Sequence, residues 1–136
     1  MGLTQLETLT SGQVDDLHEL YRNEWWTADR DRADLEPMVS NSDVIVAFGD
    51  DVTGELVAFA RVLTDSVYKA LVFDVIVAPD HRGTGLGDRL LSAVVDHPDL
   101  SGVESFELYC LEELVPFYER WGFSEDVGDV RLMRRR

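Results

Sequence analysis

Apolar positions recur along this chain with two different periods, and the switches between them mark its elements. Residues 3–8 read as a short strand. Ser11 stands as the N-cap of a first helix, which places Val14, Leu17, His18 and Tyr21 on one face. A weaker, Asp- and Arg-rich helix over 29–40 follows, with Pro37 interrupting its pattern. Residues 43–48 and 55–63 are β-rich runs around Gly49–Gly54, whose composition is that of a turn, so they predict a hairpin. Residues 68–78 make a longer strand, almost wholly apolar in its second half except at Asp74, and Pro79 ends it. A helix over 85–97 groups Leu86, Leu90, Leu91, Val94 and Val95 on one face. A strand over 105–110, a helix over 112–121 closed by Gly122, and one or two strands within 123–136 complete the order. The class is mixed α/β, and no repeat or linker divides residues 1–136, so they read as a single domain.

Composition narrows the function. The chain has 136 residues, of which 45% are hydrophobic and 29% charged, enough for one buried core. No apolar run reaches about 18 residues, so the membrane is not an expected partner. The stretch Met1 to Thr10 lacks a basic region followed by an apolar one, which predicts a cytoplasmic protein. Twelve basic and 27 acidic residues give a net charge of −15, and such a surface repels nucleic-acid phosphates. The acids are spread evenly along the chain, and Lys69 is the single lysine against 11 arginines. That pattern fits adaptation to a salt-rich cytoplasm; the plainer alternative is an acidic protein that favours cationic substrates. The single cysteine, Cys110, excludes an internal disulfide and reads as a small buried hydrophobe. Three scattered histidines and one cysteine offer no metal-ligand spacing, so no metal is expected.

The chemistry-bearing stretch is Val75-Ile76-Val77-Ala78-Pro79-Asp80-His81-Arg82-Gly83-Thr84-Gly85-Leu86-Gly87, which runs from a strand through a tight loop into a helix. A helix N-terminus leaves backbone N–H groups unpaired and partly positive, and glycines let them approach a phosphate closely. The stretch therefore reads as a diphosphate cradle. It is not a P-loop, because Asp88-Arg89 follows Gly87 where Lys-Ser/Thr would be needed. It is not the dinucleotide fingerprint either, because one residue rather than two follows Gly85 before the next glycine.

Arg82-Gly83-Thr84-Gly85-Leu86-Gly87 resembles Q/R-x-x-G-x-G/A, the acyl-CoA signature of the GNAT superfamily of N-acetyltransferases. About thirty residues on, Phe117-Tyr118-Glu119-Arg120-Trp121-Gly122-Phe123 is similar to that family's F-Y-x-x-x-G-F element. The resemblance implies a twisted mixed sheet of six or seven strands with about four helices, and a splay between the fourth and fifth strands that admits acetyl-CoA. It implies that the backbone of Val75, Ile76 and Val77 pairs with the pantetheine arm. The span Arg82, Gly83, Thr84, Gly85, Leu86, Gly87 and Asp88 would hold the pyrophosphate. Tyr118 falls where the family has its general acid, and a phenol is protonated at neutral pH and able to protonate a departing thiolate.

A base is harder to place. Some relatives carry a glutamate early in the fourth strand, where this chain has Leu71. Asp74 is the nearest carboxylate, set among apolar neighbours where a charge needs a reason. Glu107 and Glu24 are further candidates, and a water relay is another. The asparagine that many members place seven residues before the tyrosine is Leu111 here. Trp25 and Trp26 lie between the first two helices, where the family builds its acceptor pocket, and one of them or Glu107 would contact the acceptor.

The resulting expectation is acetyl transfer to a small-molecule amine by direct attack in a ternary complex. The alternatives are a protein N-terminal or lysine acetyltransferase, a non-catalytic acyl-CoA-binding module, and a nucleotide-binding α/β domain. The resemblance leaves a homodimer open.

Overall fold

The computed structural model describes residues 2–136. Strand β1 (Leu3–Leu6) leads to helix α1 (Ser11–Arg22). The N-cap is Thr10 rather than Ser11: its hydroxyl accepts from the Gln13 N–H at 3.1 Å, and the Gln13 side chain accepts from the Thr10 N–H at 3.0 Å. This reciprocal pair satisfies two end groups that a cap at Ser11 would leave open. Helix α2 (Arg32–Ser40) keeps Pro37 in its interior and buries a single side chain, Leu35.

Strands β2 (Val44–Asp50), β3 (Leu56–Thr64) and β4 (Lys69–Val77) form an antiparallel meander. A short 3-10 turn (Pro79–His81) precedes α3 (Leu86–Val95). Strand β5 (Ser105–Leu108) lies parallel to β4. The helix expected over 112–121 is broken into a 3-10 turn (Glu112–Leu114) and a short α4 (Val115–Glu119), with Pro116 in its first turn and Gly122 closing it at φ +87°. Spatial order along the sheet is β1-β2-β3-β4-β5.

Helices cover both faces, so β2 is buried on both sides and shows no polar alternation. On one face Val14, Leu17, Leu20 and Tyr21 of α1, with Leu35 of α2, pack on Ile45, Ala47, Phe59 and Ile76. On the other, Leu86, Leu90 and Val94 of α3 pack on Val44, Val46, Ala58, Ala60, Val62 and Val72.

Two expectations are corrected. The sheet has five strands rather than six or seven, because residues 123–136 form no strand among the described residues. Val130 and Leu132 do alternate with arginine and methionine, but they stay 65% and 62% exposed. A strand gains its stability from pairing and a covered face, and this segment has neither. Cys110 is exposed rather than buried, because β5 ends at Leu108 and the chain has already left the sheet.

Candidate active site

The site begins at an irregularity in β4. Phe59 faces Ile76 while Arg61 faces Phe73, so β4 carries one more residue than β3 across this interval. The extra residue makes a bulge, and Asp74 takes up φ +58° within it. Few side chains tolerate this left-handed region; Asp and Asn are among them. The bulge turns both Phe73 and Asp74 away from the α3 face. It also coincides with a parting of strands: the β4–β5 pairing runs from Lys69↔Ser105 to Val72↔Leu108 and stops. From Phe73 to Val77, β4 therefore has an edge with no strand partner among the described residues, and Val75, Ile76 and Val77 lie on it.

That edge runs into the glycine loop. Gly83 and Gly85 sit at φ +75° and +85°, and a Cβ added at either would meet open space. Gly85 caps α3 without a side-chain acceptor. The backbone N–H groups of Gly83, Thr84, Gly85, Leu86, Gly87 and Asp88 find no protein acceptor among the described residues. A loop bordered by open space, with free N–H donors at a helix N-terminus, fits a diphosphate. Gly87 differs from the other two glycines: its missing Cβ points at the Phe117 ring, 3.6 Å away. The Asp88 carboxylate is held by the Arg120 guanidinium at 2.7 Å, so only its backbone faces the loop as a donor.

Arg82 spans two parts of the molecule. Its Nε donates to the Val77 carbonyl at 3.1 Å and its Nη2 to the Glu24 carboxylate at 2.7 Å. Glu24 belongs to the loop between α1 and α2, so this ion pair ties that loop to the glycine loop. Trp25 and Trp26 follow on the same loop, 74% and 40% exposed, and neither belongs to the core.

Tyr118 on α4 is 7% exposed, with its ring edge-on to Phe117 and Phe123. Its hydroxyl makes no hydrogen bond to a described residue, yet its oxygen is not sealed from solvent. Burial, with a smaller contribution from the nearby Cys110 thiol, pushes its pKa up to about 12. The phenol therefore keeps its proton across the physiological range and has a free donor to offer.

Asp74 is the most heavily bonded side chain of the site. Its Oδ2 accepts from the Tyr21 hydroxyl at 2.9 Å, from Arg30 Nη1 at 2.7 Å and from Arg61 Nε at 2.7 Å. Its Oδ1 accepts from Arg30 Nη2 at 3.3 Å. Burial alone would raise the carboxyl's pKa, but the hydrogen bonds and charges of Arg30 and Arg61 outweigh it and hold the group below the usual carboxylate range. Burial, reinforced by the Asp74 charge, pushes the Tyr21 phenol far above its usual value, so it stays a neutral donor. A carboxylate so held is a poor proton acceptor. Glu107 projects from β5 and forms a half-exposed ion pair with Lys69. Tyr21, Arg30 and Arg61 were not singled out from the sequence. The signal was there in Arg61, a lone charge inside the apolar run of β3, matched by Asp74 inside the apolar run of β4.

Comparison with known proteins places this geometry. Residues 40–125 match the family model described as an acetyltransferase (GNAT) domain. The chain is similar to GCN5-related N-acetyltransferase 1, chloroplastic, of Arabidopsis thaliana, at 29% identity over 104 residues, covering 76% of this chain and 53% of that protein. It is also similar to serotonin N-acetyltransferase 2, chloroplastic, of Oryza sativa subsp. japonica, at 39% identity over 80 residues, covering 59% and 40%. The chain thus spans about half the length of the curated relatives it matches. Among solved structures, one assigned to the GNAT family, from Xanthomonas campestris pv. campestris, superposes with a TM-score of 0.81 at 32% identity. That match covers 100% of this chain and 94% of the other. With the family model spanning more than half of its residues and the sheet, bulge and glycine loop in one continuous arrangement, the chain belongs to the GNAT acetyltransferase family.

Proposed function

We propose that this domain moves an acetyl group from acetyl-CoA to the amine of a small molecule, by direct attack while both are bound. One observation carries the reading: the free edge of β4 leads directly into the unpartnered N–H groups of Gly83 to Asp88. Bound acetyl-CoA supplies an acyl group already activated as a thioester. The β4 edge at Val75, Ile76 and Val77 offers N–H and C=O groups to an extended arm. The glycine loop and the N-terminus of α3 bind the pyrophosphate through backbone donors, with the guanidinium of Arg82, already paired to Glu24, at the rim. Tyr118 gives its proton to the sulfur as the C–S bond breaks. Asp74, saturated by Tyr21, Arg30 and Arg61, positions the bulge rather than taking a proton, and the amine loses its proton to solvent. A small acceptor is supported by the rice relative, whose name gives serotonin as its substrate.

Thermal unfolding in molar KCl with acetyl-CoA, CoA, NAD and ATP tests the cofactor. Acetyl-CoA or CoA at about 100 times its Kd should stabilise the fold by roughly 2.7 kcal/mol, with NAD and ATP giving no shift. An amine screen by thiol release tests turnover, and Tyr118→Phe should lower kcat about 100-fold or more while leaving the thermal shift intact. A folded protein that ignores acetyl-CoA would overturn the reading. Binding with no turnover on any amine would leave a non-catalytic acyl-CoA module.

A further inference from the structure

The cluster around Asp74 contains two cations and one anion. Tyr21 is neutral, so Arg30 and Arg61 leave one positive charge in excess, half-buried in a chain whose net charge is −15. Arg61 carries that excess in usable form. Its side chain is only 14% exposed, and it spends just Nε on Asp74. Neither of its terminal nitrogens has an acceptor among the described residues, and neither is sealed from solvent. A guanidinium mostly withdrawn from water with its Nη donors unfilled is a costly arrangement unless an anion completes it.

Position and orientation add to this. Arg61 sits across from Phe73, one residue before the bulge, where the free edge of β4 begins. Its guanidinium lies over the Phe73 ring, 5.0 Å from the centroid, and that ring meets Tyr109 edge-on at 5.9 Å. The Phe73 ring bounds the guanidinium on one side, and Nε held by Asp74 restrains its rotation. The Nη pair is thereby presented as a fixed fork, the geometry that binds carboxylate and phosphate through two parallel hydrogen bonds. The fork lies on the sheet face that α1 and α2 cover, with Arg30 of their connecting loop beside it.

We infer that the acceptor amine carries an oxyanion group of its own, a carboxylate or a phosphate, which docks on the Nη fork of Arg61 beside the β4 bulge. This rests on the acetyl-transfer reading above and narrows its substrate class. The strongly acidic surface draws the ammonium end of such a molecule, while Arg61 selects for the anionic end at the site itself.

Matched pairs test it: phenylalanine against phenethylamine, and glucosamine 6-phosphate against glucosamine. The wild-type domain should prefer the anionic member of one pair by about tenfold or more in kcat/KM. The first pair reports a carboxylate site, the second a phosphate site. Arg61→Gln should abolish the preference, chiefly by raising KM for the anionic member. The loss on the anionic member should exceed that on the uncharged member by about tenfold, and a thermal shift with acetyl-CoA equal to that of wild type shows that the variant is folded. Arg61→Lys should recover part of the preference. Equal rates within both pairs, or an equal loss on both members in Arg61→Gln, would overturn the inference. If no amine is acetylated, the functional reading fails, and calorimetric titration of the same four compounds decides the anion site independently. Binding of an anionic member that Arg61→Gln removes sustains it; no such binding overturns it.

Discussion

Asp74 occupies a left-handed backbone conformation in the middle of a strand, with its carboxylate enclosed by two arginines and a phenol. Charge and conformation can be separated by substitution. Asn tolerates the same φ, so Asp74→Asn removes the charge alone and leaves Arg30 and Arg61 facing each other uncompensated. Urea unfolding at pH 7 should show a loss of about 3 kcal/mol, the low end for a broken buried pair because Arg30 reaches water. Asp74→Ala should cost about 1 kcal/mol more, through backbone strain. The folded-state pKa is depressed, so the stabilisation is fully present above the unfolded carboxylate value and disappears as pH falls through the folded one. The gap between wild type and Asp74→Asn should therefore persist down to about pH 4 and close only below it. Equal stability at pH 7 would mean that the cluster contributes nothing to the fold. The role of Asp74 was half legible from the sequence. A charge in an apolar strand signals a buried partner or a reaction. Only the register of β3 against β4, set by the bulge, shows that the partner is Arg61.

Among the elements, α3 and its loop were the most legible, because glycine spacing and helical periodicity both act over a few residues. The three glycines nevertheless look alike in the sequence and differ in the fold. Gly83 and Gly85 need their left-handed φ and border open space, whereas Gly87 has ordinary helical geometry against Phe117. Gly85→Ala should cost about 1–2 kcal/mol in stability from the left-handed backbone alone. It should also weaken acetyl-CoA binding about tenfold, a loss of roughly 1.4 kcal/mol, by filling the cradle. Gly87→Ala should leave both within about 1 kcal/mol, since helix propensity favours alanine. Thermal unfolding with and without acetyl-CoA measures both quantities, and equal effects at the two positions would refute the distinction. The segment over 123–136 was misread for the opposite reason. Its alternation is a local pattern, but a strand also needs a neighbour, and neighbours are a property of the whole sheet.

At the scale of the molecule, the net charge of −15 is distributed over every part of the sequence. Ion pairs engage seven carboxylates among the described residues, those of Asp15, Glu19, Glu24, Glu36, Asp74, Asp88 and Glu107, and leave most of the 27 acids without a counter-charge. We propose that the protein works in a salt-rich medium. Its unfolding temperature should rise steadily as KCl is raised from about 0.1 M to 2 M, where screening shortens the Debye length to a few ångströms. A flat or falling curve would reject this.

The order of strands in the sheet is the order of strands in the chain. Short turns join β2, β3 and β4, so these strands can find one another without closing a long loop. Each outer strand has to be brought home across a helical excursion: Leu3 to Asp50 across α1 and α2, and Lys69 to Ser105 across α3. Chain closure thus carries most of its entropic cost at two places, one on each side of the central meander. One closure seats the helices that cover the Arg61 face, and the other forms the parting beside which acetyl-CoA would lie. The two halves of the site are hung on a common frame by separate closures, and the Arg82–Glu24 ion pair fastens one to the other.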